Sequence, residues 1–296
     1  MPTTKTRITH QSRLLLMGSC FSDAMGERFA ECGFDVLSNP FGTLYNPLSV
    51  AECLKRGSTS APLTSDDIIF HNGLWHSWLH HGSFSNPDRL ALLANCNEAV
   101  HKVSLWLQRP SLLLFTFGTA YVFRHAGRIV ANCHKLPATQ FERSRITVDE
   151  IIEIWQPLLQ SLRREGHQVL FTVSPIRHLA DGAHGNQLSK ATLLLAIEQL
   201  CSDGLAEYFP AYEILLDELR DYRFYSDDLC HPSALAERIV WQHFQETYME
   251  AGTLALCDKH LQLARLKQHR PMRNDTPEYT KYKENISRLE RELSQR

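Results

Sequence analysis

The sequence lacks any run of 18 consecutive apolar residues, and its first 13 residues, MPTTKTRITHQSR, lack the apolar centre of a secretory signal. A membrane-spanning helix needs such a run and a secreted precursor needs such a signal, so we expect neither. The sequence also has little excess of charge of either sign: it contains 31 basic and 33 acidic residues, and its net charge is −2. A balanced charge does not favour a nucleic-acid or membrane surface as the partner. We therefore expect a cytoplasmic protein that binds neither nucleic acids nor membranes.

Two further patterns are missing: the 8 cysteines include no C-x-x-C pair, and the 15 histidines include no H-E-x-x-H sequence. Both patterns are typical of zinc sites, and the cysteines of a cytoplasmic protein stay reduced. We therefore expect no metal, no cofactor and no disulfide. The cysteines are interpreted as buried apolar residues or as a reactive thiol.

A segment rich in histidine and tryptophan, HNGLWHSWLHHGSFS, spans residues 71–85 and contains no carboxylate. One interpretation is a wall of a substrate site, in which tryptophan stacks on an acyl or sugar ligand and His81 donates hydrogen bonds. The other is a loop whose tryptophans cover the edge of the core. Both interpretations remain open at this point.

Apolar residues are plentiful: hydrophobic residues make up 43% of the 296 residues and charged residues 22%. This composition suits a globular domain with a full core. Continuous apolar runs of strand length are typical of strands that are buried on both faces. Such runs lie at residues 14–17, 111–117, 169–175 and 213–217.

Helical segments separate these runs. The clearest begins at Thr147, where Glu150 completes a capping box, and contains Pro157, which should bend it. Further helices are predicted at residues 187–202 and from about Ser233. Strands that alternate with helices in this way predict an α/β fold, with a parallel sheet covered on both sides.

Two regions depart from this alternation. Residues 120–132, AYVFRHAGRIVAN, contain two alternating runs around a short turn and predict an inserted β-hairpin. Residues from about 39 to 97 are rich in Asn, Pro, Gly, Ser, His and Trp. We expect loops with short helices there, over the carboxyl ends of the strands, where open α/β sheets bind ligands.

The end of the chain differs in composition, so we divide the protein into an α/β domain, residues 1–256, and a charged helical extension, residues 257–296. A polar stretch at residues 272–278 precedes a helix with a single apolar stripe. The stripe is too short for a coiled coil, and we expect this C-terminal helix to pack back on the domain. A homodimer contact through the same helix is the alternative. The stripe consists of Tyr279, Tyr282, Ile286, Leu289 and Leu293.

Near the end of the α/β region, the sequence DYRFYSDDLCHPS places Asp228 three residues before His231. A carboxylate at this spacing can accept the imidazole N–H, select its tautomer and stabilise the imidazolium. At the other end of the chain, the first strand leads into Gly18, Ser19 and Cys20. Because the carboxyl ends of parallel strands meet at one edge of a sheet, we expect these two groups to lie side by side.

Several blocks that follow one another along the chain carry a wider resemblance. They are MGSCFSDAMGERF, NPFGTLYNP, FTFGTAYVFR, ANCHKLP, TVSPIRHLADGA, NQLSKATLLLA and YFPAYEILLDELRDYRFYSDDLCHPS. In this order they resemble the GSCFA family, which is similar to the SGNH/GDSL hydrolases. The similarity runs from about Arg13 to the helix after Pro232. It implies a three-layer α/β/α sandwich with a flavodoxin-like, SGNH-type sheet, and a site of the ester-hydrolase kind.

The resemblance places the nucleophile on residues 18–20, with Asp228 orienting His231 as the base. A thiol loses its proton more readily than a serine hydroxyl, so Cys20 is the first candidate for the nucleophile. If the turn after the strand is one residue tighter, Ser19 presents its hydroxyl instead. This choice remains open in the sequence.

For the oxyanion, the resemblance implies that the backbone N–H of Gly42 acts as a donor. The next block begins at Gly118 and lacks the asparagine that donates to the oxyanion in the wider superfamily. Loss of one donor typically costs about two to three orders of magnitude in rate. Either Thr119, Asn46 or Asn132 supplies the missing hydrogen bond, or an enzyme with this site is slow.

The roles of five other polar residues stay open. His134 and His178 follow strand ends, and each either reaches the site or is an ordinary loop histidine. Lys135, Arg177 and Lys190 either hold an anionic group or are solvated, and solvation is the default for such residues.

These observations predict an SGNH-like hydrolase or acyltransferase whose partner is a small-molecule or glycan-linked acyl ester. The chemistry would combine a nucleophile with the His–Asp base. The alternative is a binding or accessory protein that holds an acylated or glycan ligand without chemistry, which the missing asparagine favours. A thiol redox sensor at Cys20 is a third interpretation.

Overall fold

The structure of the protein is a computed structural model that describes residues 4–269 and 277–294. Its strands are β1 (Arg13–Gly18), β2 (Asp35–Ser38), β3 (Ile68–His71), β4 (Leu74–Ser77), β5 (Leu112–Phe117), β6 (Tyr121–His125), β7 (Arg128–Val130), β8 (Glu142–Arg145), β9 (Gln168–Val173) and β10 (Glu207–Tyr208). Five of them form a parallel sheet in the order β2-β1-β5-β9-β10. The predicted α/β class with a parallel sheet is confirmed.

The connections of this sheet determine where a ligand can bind. From β1 the chain first adds β2 on one side and then β5 on the other. The carboxyl ends of β1 and β5 therefore flank the point at which the strand order reverses, where open α/β sheets bind ligands. In the register of these two strands, Gly18 lies opposite Thr116.

Helices cover both faces of the sheet. They are α1 (Cys20–Glu31), α2 (Pro47–Thr59), α3 (Arg89–Leu107), α4 (Val148–Arg164), α5 (Gly182–Ser202), α6 (Ala211–Glu213), α7 (Ala234–Tyr248), α8 (Ala251–Gln268) and α9 (Pro277–Ser294). Across residues 4–269 and 277–294, none of the helices has the length and the apolar character needed to span a membrane.

Alternate side chains of β1 divide between two hydrophobic clusters. Leu15 and Met17 point into a cluster that includes residues of α2, α3, α4 and α5. Leu14 and Leu16 point to the opposite face, into a cluster with residues of α1, α7 and α8. A sheet between two helical layers is the three-layer sandwich that the family resemblance implies, and this prediction is confirmed.

Two local predictions are also confirmed. Thr147 caps α4, its hydroxyl accepting the Glu150 N–H at 3.2 Å, while the Glu150 carboxylate accepts the Thr147 N–H at 2.7 Å. The alternating residues 120–132 form the hairpin β6–β7, and β8 pairs with the free edge of β6 to complete a three-stranded antiparallel sheet.

Two other predictions are wrong. Residues 213–217 were expected to form a strand, but they belong to α6 and to the π-helical turn Ile214–Glu218, and the edge strand is β10 instead. A short apolar run fits a strand or a buried helical turn equally well, and here Ile214 and Leu215 pack into the α1–α7 cluster. Residues 39–97 contain more regular structure than expected, because α2, the strands β3 and β4 and the first nine residues of α3 lie there.

The C-terminal helices lie side by side. Salt bridges between Lys259 and Glu292 and between Lys267 and Glu290, both at 2.7 Å, join α8 to α9, and Leu289 is buried. The C-terminal helix therefore packs back within the same chain, and a homodimer contact stays a prediction. The boundary predicted at residues 256/257 falls inside α8. Most of the polar stretch that precedes α9, residues 272–276, lies outside the described residues.

Candidate active site

The candidate nucleophile lies at the junction between β1 and α1. Gly18, the last residue of β1, has a φ of +149°, and a Cβ atom there would lie 2.1 Å from the carbonyl oxygen of Thr116. Only glycine allows β1 and β5 to approach this closely. Ser19 then caps α1, and Cys20 is the first residue of the helix. The strand, the glycine and the cap together place Cys20 at the carboxyl edge of the sheet.

The hydroxyl of Ser19 is turned into the protein. Ser19 is 1% exposed, and its Oγ atom accepts the backbone N–H of Phe21 at 3.3 Å. Its own N–H donates to the Thr116 carbonyl oxygen at 3.1 Å. The two candidates that the sequence left open are thus distinguished by position: the Ser19 hydroxyl serves as the helix cap, and the Cys20 sulfur faces the imidazole.

Cys20, His231 and Asp228 form a continuous chain of contacts. The Sγ atom of Cys20 lies 3.9 Å from Nε2 of His231, and Nδ1 of the same ring lies 2.5 Å from Oδ2 of Asp228. The N–H groups of His231 and Cys230 are the main causes that lower the pKa of Asp228 to about 2. An ionised carboxylate only accepts hydrogen bonds, so Nδ1 carries the proton and Nε2 is left to accept the thiol proton.

The loop that carries Asp228 and His231 is exposed, with about half of each side chain open to solvent (50% and 50%). Hydrogen bonds hold it in place. The Arg177 guanidinium donates to the Leu229 carbonyl oxygen at 3.2 Å and to the Tyr225 hydroxyl at 2.9 Å. Arg177, for which solvation was the default expectation, therefore links the segment after β9 to the loop.

The surroundings of the Cys20 thiol favour its protonated form. Burial raises its pKa above the usual value, the N–H groups of Cys20 and Phe21 at the start of α1 lower it, and the negative charge of Asp23 raises it again. A protonated thiol is a poor nucleophile. The site therefore depends on a base, and His231 Nε2 is in position to be that base.

The backbone N–H groups of Gly42 and of the block that begins at Gly118 are engaged elsewhere. The N–H of Gly42 donates to the Asn39 carbonyl oxygen at 2.7 Å. Those of Gly118 and Thr119 both donate to the Tyr45 carbonyl oxygen, at 2.8 and 2.9 Å. The expectation that Gly42 offers a free donor needs correction, because carbonyl groups of the block around Gly42, those of Asn39 and Tyr45, accept all of these N–H groups.

Both glycines make room for a histidine instead. Gly42 has a φ of +75°, and a Cβ atom there would lie 2.3 Å from Cβ of His81. A Cβ atom on Gly118 would lie 3.0 Å from Nε2 of His178. The charge of His81 lowers the pKa of Asp23 on α1, although burial raises that pKa more strongly. His81 therefore lies within electrostatic range of Asp23, and its role in a substrate wall stays a prediction.

Two of the three side chains predicted to replace the missing asparagine are occupied. The Thr119 hydroxyl shares a hydrogen bond of 3.1 Å with a serine hydroxyl on α5. Asn46 is buried and caps α2, accepting the Ser49 N–H at 2.8 Å and donating to the Ser49 hydroxyl at 3.0 Å. Asn132 uses its Oδ1 atom to accept the N–H of the residue two positions later, at 2.8 Å.

His134 is a core residue rather than part of the site. Its Nε2 atom lies 2.7 Å from a backbone carbonyl oxygen, and its ring stacks on His76 with centroids 4.6 Å apart. Burial lowers the pKa of His134 to about 4. Trp78 stacks on His125 of the inserted hairpin at 4.7 Å. Trp78 of the histidine- and tryptophan-rich segment therefore packs against the hairpin. Within the described ranges no cluster of three or more His, Cys, Asp or Glu is arranged to hold a metal.

Lys190 is buried, although a solvated lysine was expected. It is 1% exposed, and its Nζ atom donates to the carbonyl oxygens of Gly118 and Ser174, both at 2.7 Å. Burial lowers its pKa to about 7, and the charge of the Cys20 thiolate raises it, so the amine lies within electrostatic range of the nucleophile. Lys190 shares a helical face with Leu193, which is buried in the core. The i, i+3 spacing of Lys190 and Leu193 in α5 is the pattern in the sequence that indicates burial of Lys190.

The comparisons with known proteins give one positive result. Neither the curated proteins nor the solved structures contain a match to the chain. The sequence profile of the GSCFA family, in contrast, matches residues 13–244, which is most of the chain. This range contains Cys20, Asp228 and His231 together with the whole central sheet. The protein that folds these residues into one site therefore belongs to the GSCFA family.

Proposed function

We propose that the protein is a cysteine-dependent acyl-transfer enzyme, a hydrolase or acyltransferase that acts on an ester of a small or carbohydrate-linked acyl group. The observation that carries the proposal is the 3.9 Å separation between Cys20 Sγ and His231 Nε2, with Asp228 2.5 Å from the far side of the ring. A nucleophile, a base and an orienting carboxylate in this order recur in acyl-transfer enzymes on unrelated folds. The motif resemblance to the SGNH/GDSL hydrolases supports the same reaction class.

The first step forms a thioester on Cys20. His231 Nε2 accepts the thiol proton while Sγ bonds to the carbonyl carbon of the ester, whose π electrons move onto the carbonyl oxygen. Asp228 accepts the Nδ1–H throughout and stabilises the imidazolium. When the tetrahedral intermediate collapses, the C–O bond of the ester breaks and Nε2–H protonates the departing alcohol oxygen.

The second step transfers the acyl group away from Cys20. Water or an acceptor alcohol loses a proton to His231 Nε2 and attacks the thioester carbonyl, the C–S bond breaks, and the proton returns to the sulfur. A thioester passes its acyl group on more readily than an ester, which suits either acceptor. Water as the acceptor makes the enzyme a hydrolase, and an alcohol makes it an acyltransferase.

The exposure of the base bears on the substrate class. About half of the Asp228 and His231 side chains is open to solvent (50% and 50%), so the site lies at a rim of the molecule. An ester at the periphery of a larger molecule, such as an acyl group on a carbohydrate, can approach a rim without entering a deep channel. This geometry supports the carbohydrate-linked substrate in the proposal.

Acyl transfer from p-nitrophenyl acetate, followed by intact-protein mass spectrometry, tests the proposal. We expect one acetyl group per chain in the wild-type and Ser19→Ala proteins, and none in Cys20→Ala. His231→Ala should slow acetylation by about 10²-fold or more, because the thiol loses its base. Cys133→Ala is the matched control, since Cys133 is another partly exposed free cysteine. Unchanged acetylation in both Cys20→Ala and His231→Ala would contradict the proposal.

A binding or accessory protein for an acylated or glycan ligand is the second candidate function. The engaged N–H groups of Gly42, Gly118 and Thr119 favour it, because a site without oxyanion donors holds an ester without attacking it. A binding protein should show saturable quenching of tryptophan fluorescence by an acylated sugar and no adduct at Cys20. Selective sulfenic acid at Cys20 under mild peroxide, again without an acyl adduct, would indicate the redox sensor instead.

A further inference from the structure

A tetrahedral intermediate on Cys20 needs hydrogen-bond donors for its oxygen, and the N–H of Gly42, which the resemblance implies as a donor, is engaged. The N–H groups of Gly42, Gly118 and Thr119 bond to carbonyl groups of the protein. The N–H of Cys20 itself lies at the first position of α1, where helices leave N–H groups without an intrahelical acceptor, and it lowers the pKa of the Cys20 thiol. Loss of one oxyanion donor slows acyl transfer by about 10²–10³-fold, so an efficient site requires a second donor near Gly118.

His178 offers a ring nitrogen at this place. Its Nε2 atom is shielded from solvent and has no hydrogen-bond partner within residues 4–269 and 277–294. It faces Gly118, on which an added Cβ atom would lie 3.0 Å from Nε2. Buried polar atoms in native proteins nearly always have partners, and an unpaired one is unfavourable. The unpaired nitrogen therefore points to a partner that binds from outside.

The rest of His178 is held in place. Its backbone N–H donates to Oδ1 of Asn186 at 3.0 Å, and its ring packs edge-on against Tyr45 with centroids 5.8 Å apart. The backbone carbonyl oxygen of Tyr45 also accepts the N–H groups of Gly118 and Thr119. A ring held on two sides is pre-organised, so it does not need to reorient when charge develops on a substrate oxygen.

Three observations place His178 at the same edge of the sheet as the nucleophile. Gly118 directly follows β5, and β5 pairs with β1, the strand that leads to Cys20. Lys190, which donates to the Gly118 carbonyl oxygen, is affected by the charge of the Cys20 thiolate. A positive charge on His231 lowers the pKa of His178, less strongly than burial does. His178 and His231 therefore border the same site.

His178 and His231 lie in surroundings that favour different charge states of the imidazole ring. Burial, followed by the positive charge of Lys190, lowers the pKa of His178 to about 4. At neutral pH the ring is uncharged, and a neutral imidazole can donate one hydrogen bond without giving up its proton. His231 is more exposed and is paired with Asp228, which stabilises the imidazolium. This difference suits His231 to proton transfer and His178 to donation of a hydrogen bond.

We propose that His178 is a further catalytic residue, whose Nε2–H donates to the oxyanion on the substrate carbonyl together with the N–H of Cys20. This inference rests on the proposed acyl-transfer function and supplies the donor that the motif block at Gly118 lacks. The imidazole takes the place of an asparagine. Gly118 is required in this arrangement because any side chain there would fill the space in front of Nε2.

Two reactions of Cys20 separate this role from a structural one. Acetylation by p-nitrophenyl acetate passes through an oxyanion, whereas alkylation by iodoacetamide displaces iodide at a tetrahedral carbon and forms none. For His178→Ala we expect acetylation to slow by about 10²–10³-fold and alkylation to stay within about threefold of wild type. His178→Gln keeps an N–H donor and should recover about tenfold of the loss in acetylation. His184→Ala, an exposed histidine of α5, is the matched control.

The outcomes distinguish this inference from the proposed function. If the wild-type protein is alkylated but never acetylated at Cys20, the proposed function fails and the role of His178 fails with it. If the wild-type protein is acetylated and His178→Ala is acetylated equally fast, only the role of His178 is wrong. Equal slowing of both reactions would indicate a structural role and also overturn the inference. Should His178→Ala fail to fold, Gly118→Ala, which displaces the ring, should lower acetylation selectively.

Discussion

The two halves of the candidate active site are held in place by different means. The half that carries Cys20 is held by the core, because β1 is buried between the helical layers and Gly18 packs against the backbone of β5. The half that carries Asp228 and His231 is an exposed loop, held by hydrogen bonds to Asp228 and by Arg177. Substitutions in the loop should therefore alter the chemistry with little change in stability, and substitutions at the end of β1 should mainly alter stability.

The largest effect is expected in the loop. Asp228→Asn should slow acetylation of Cys20 by about 10²–10⁴-fold, because an amide neither selects the Nδ1–H tautomer nor stabilises the imidazolium. The midpoint of thermal unfolding should stay within about 2 °C of wild type, since exposed charge pairs contribute little to stability. Asp227→Asn, an exposed neighbour, is the control for both measurements. A large drop in unfolding temperature would contradict the separation of the two halves.

The reverse pattern is expected at the end of β1. Gly18→Ala should lower the free energy of unfolding by about 3 kcal/mol or more, because the new Cβ atom clashes with the Thr116 carbonyl group in a left-handed backbone conformation. Urea unfolding measures the effect. Gly252→Ala is the control, since a Cβ atom there has no neighbour within 4 Å. A loss below about 1 kcal/mol would show that β1 and β5 can move apart at this point.

A smaller effect, which depends on pH, is expected at Lys190. The pKa of Lys190 is lowered from 10.5 to about 7 in the folded protein. Between these values the unfolded chain binds one more proton than the native protein, so wild-type stability rises with pH relative to Lys190→Met. The difference in the free energy of unfolding between wild type and Lys190→Met, here called the stability gap, should widen by at most about 1.4 kcal/mol per pH unit above neutral pH.

Urea unfolding of wild type and Lys190→Met from about pH 6 to about pH 9 measures this gap. The methionine also leaves the Gly118 and Ser174 carbonyl oxygens without their donor, so the variant should be the less stable protein at the higher pH. Lys55→Met, at an exposed position of α2, should show no such trend. A gap that stays constant with pH would mean that Lys190 keeps its proton in the folded protein.

The smallest effect is expected at Arg177. Arg177→Ala removes the hydrogen bonds to Leu229 and Tyr225 but leaves those that Asp228 makes within the loop. Acetylation of Cys20 should fall by about tenfold, because the loop keeps its shape and loses only part of its attachment to the segment after β9. Arg220→Ala, at an exposed position shortly before the loop in the sequence, is the control. A loss as large as that of Asp228→Asn would mean that the loop depends mainly on Arg177.

Much of the fold could be predicted because its signals are local. The apolar runs predicted β1, β5 and β9, the capping box predicted the start of α4, and alternation predicted the hairpin β6–β7. Residues 213–217 were misassigned because a short apolar run does not distinguish a strand from a buried helical turn. Lys190 was misplaced because a charged side chain was expected to be solvated, although its helical spacing from Leu193 indicated the buried face.

The order of residues along the chain is enough to show that a small nucleophile follows the first strand and that a carboxylate and a histidine lie three residues apart before the helix α7. It also determined, through the alternation of strands and helices, that both groups end at one edge of a parallel sheet. The folded chain was needed to show that Cys20 rather than Ser19 faces His231, and that the N–H groups of Gly42 and Gly118 are already engaged. Those outcomes depend on which atoms from distant segments come within hydrogen-bond distance, and no local pattern of residues specifies that.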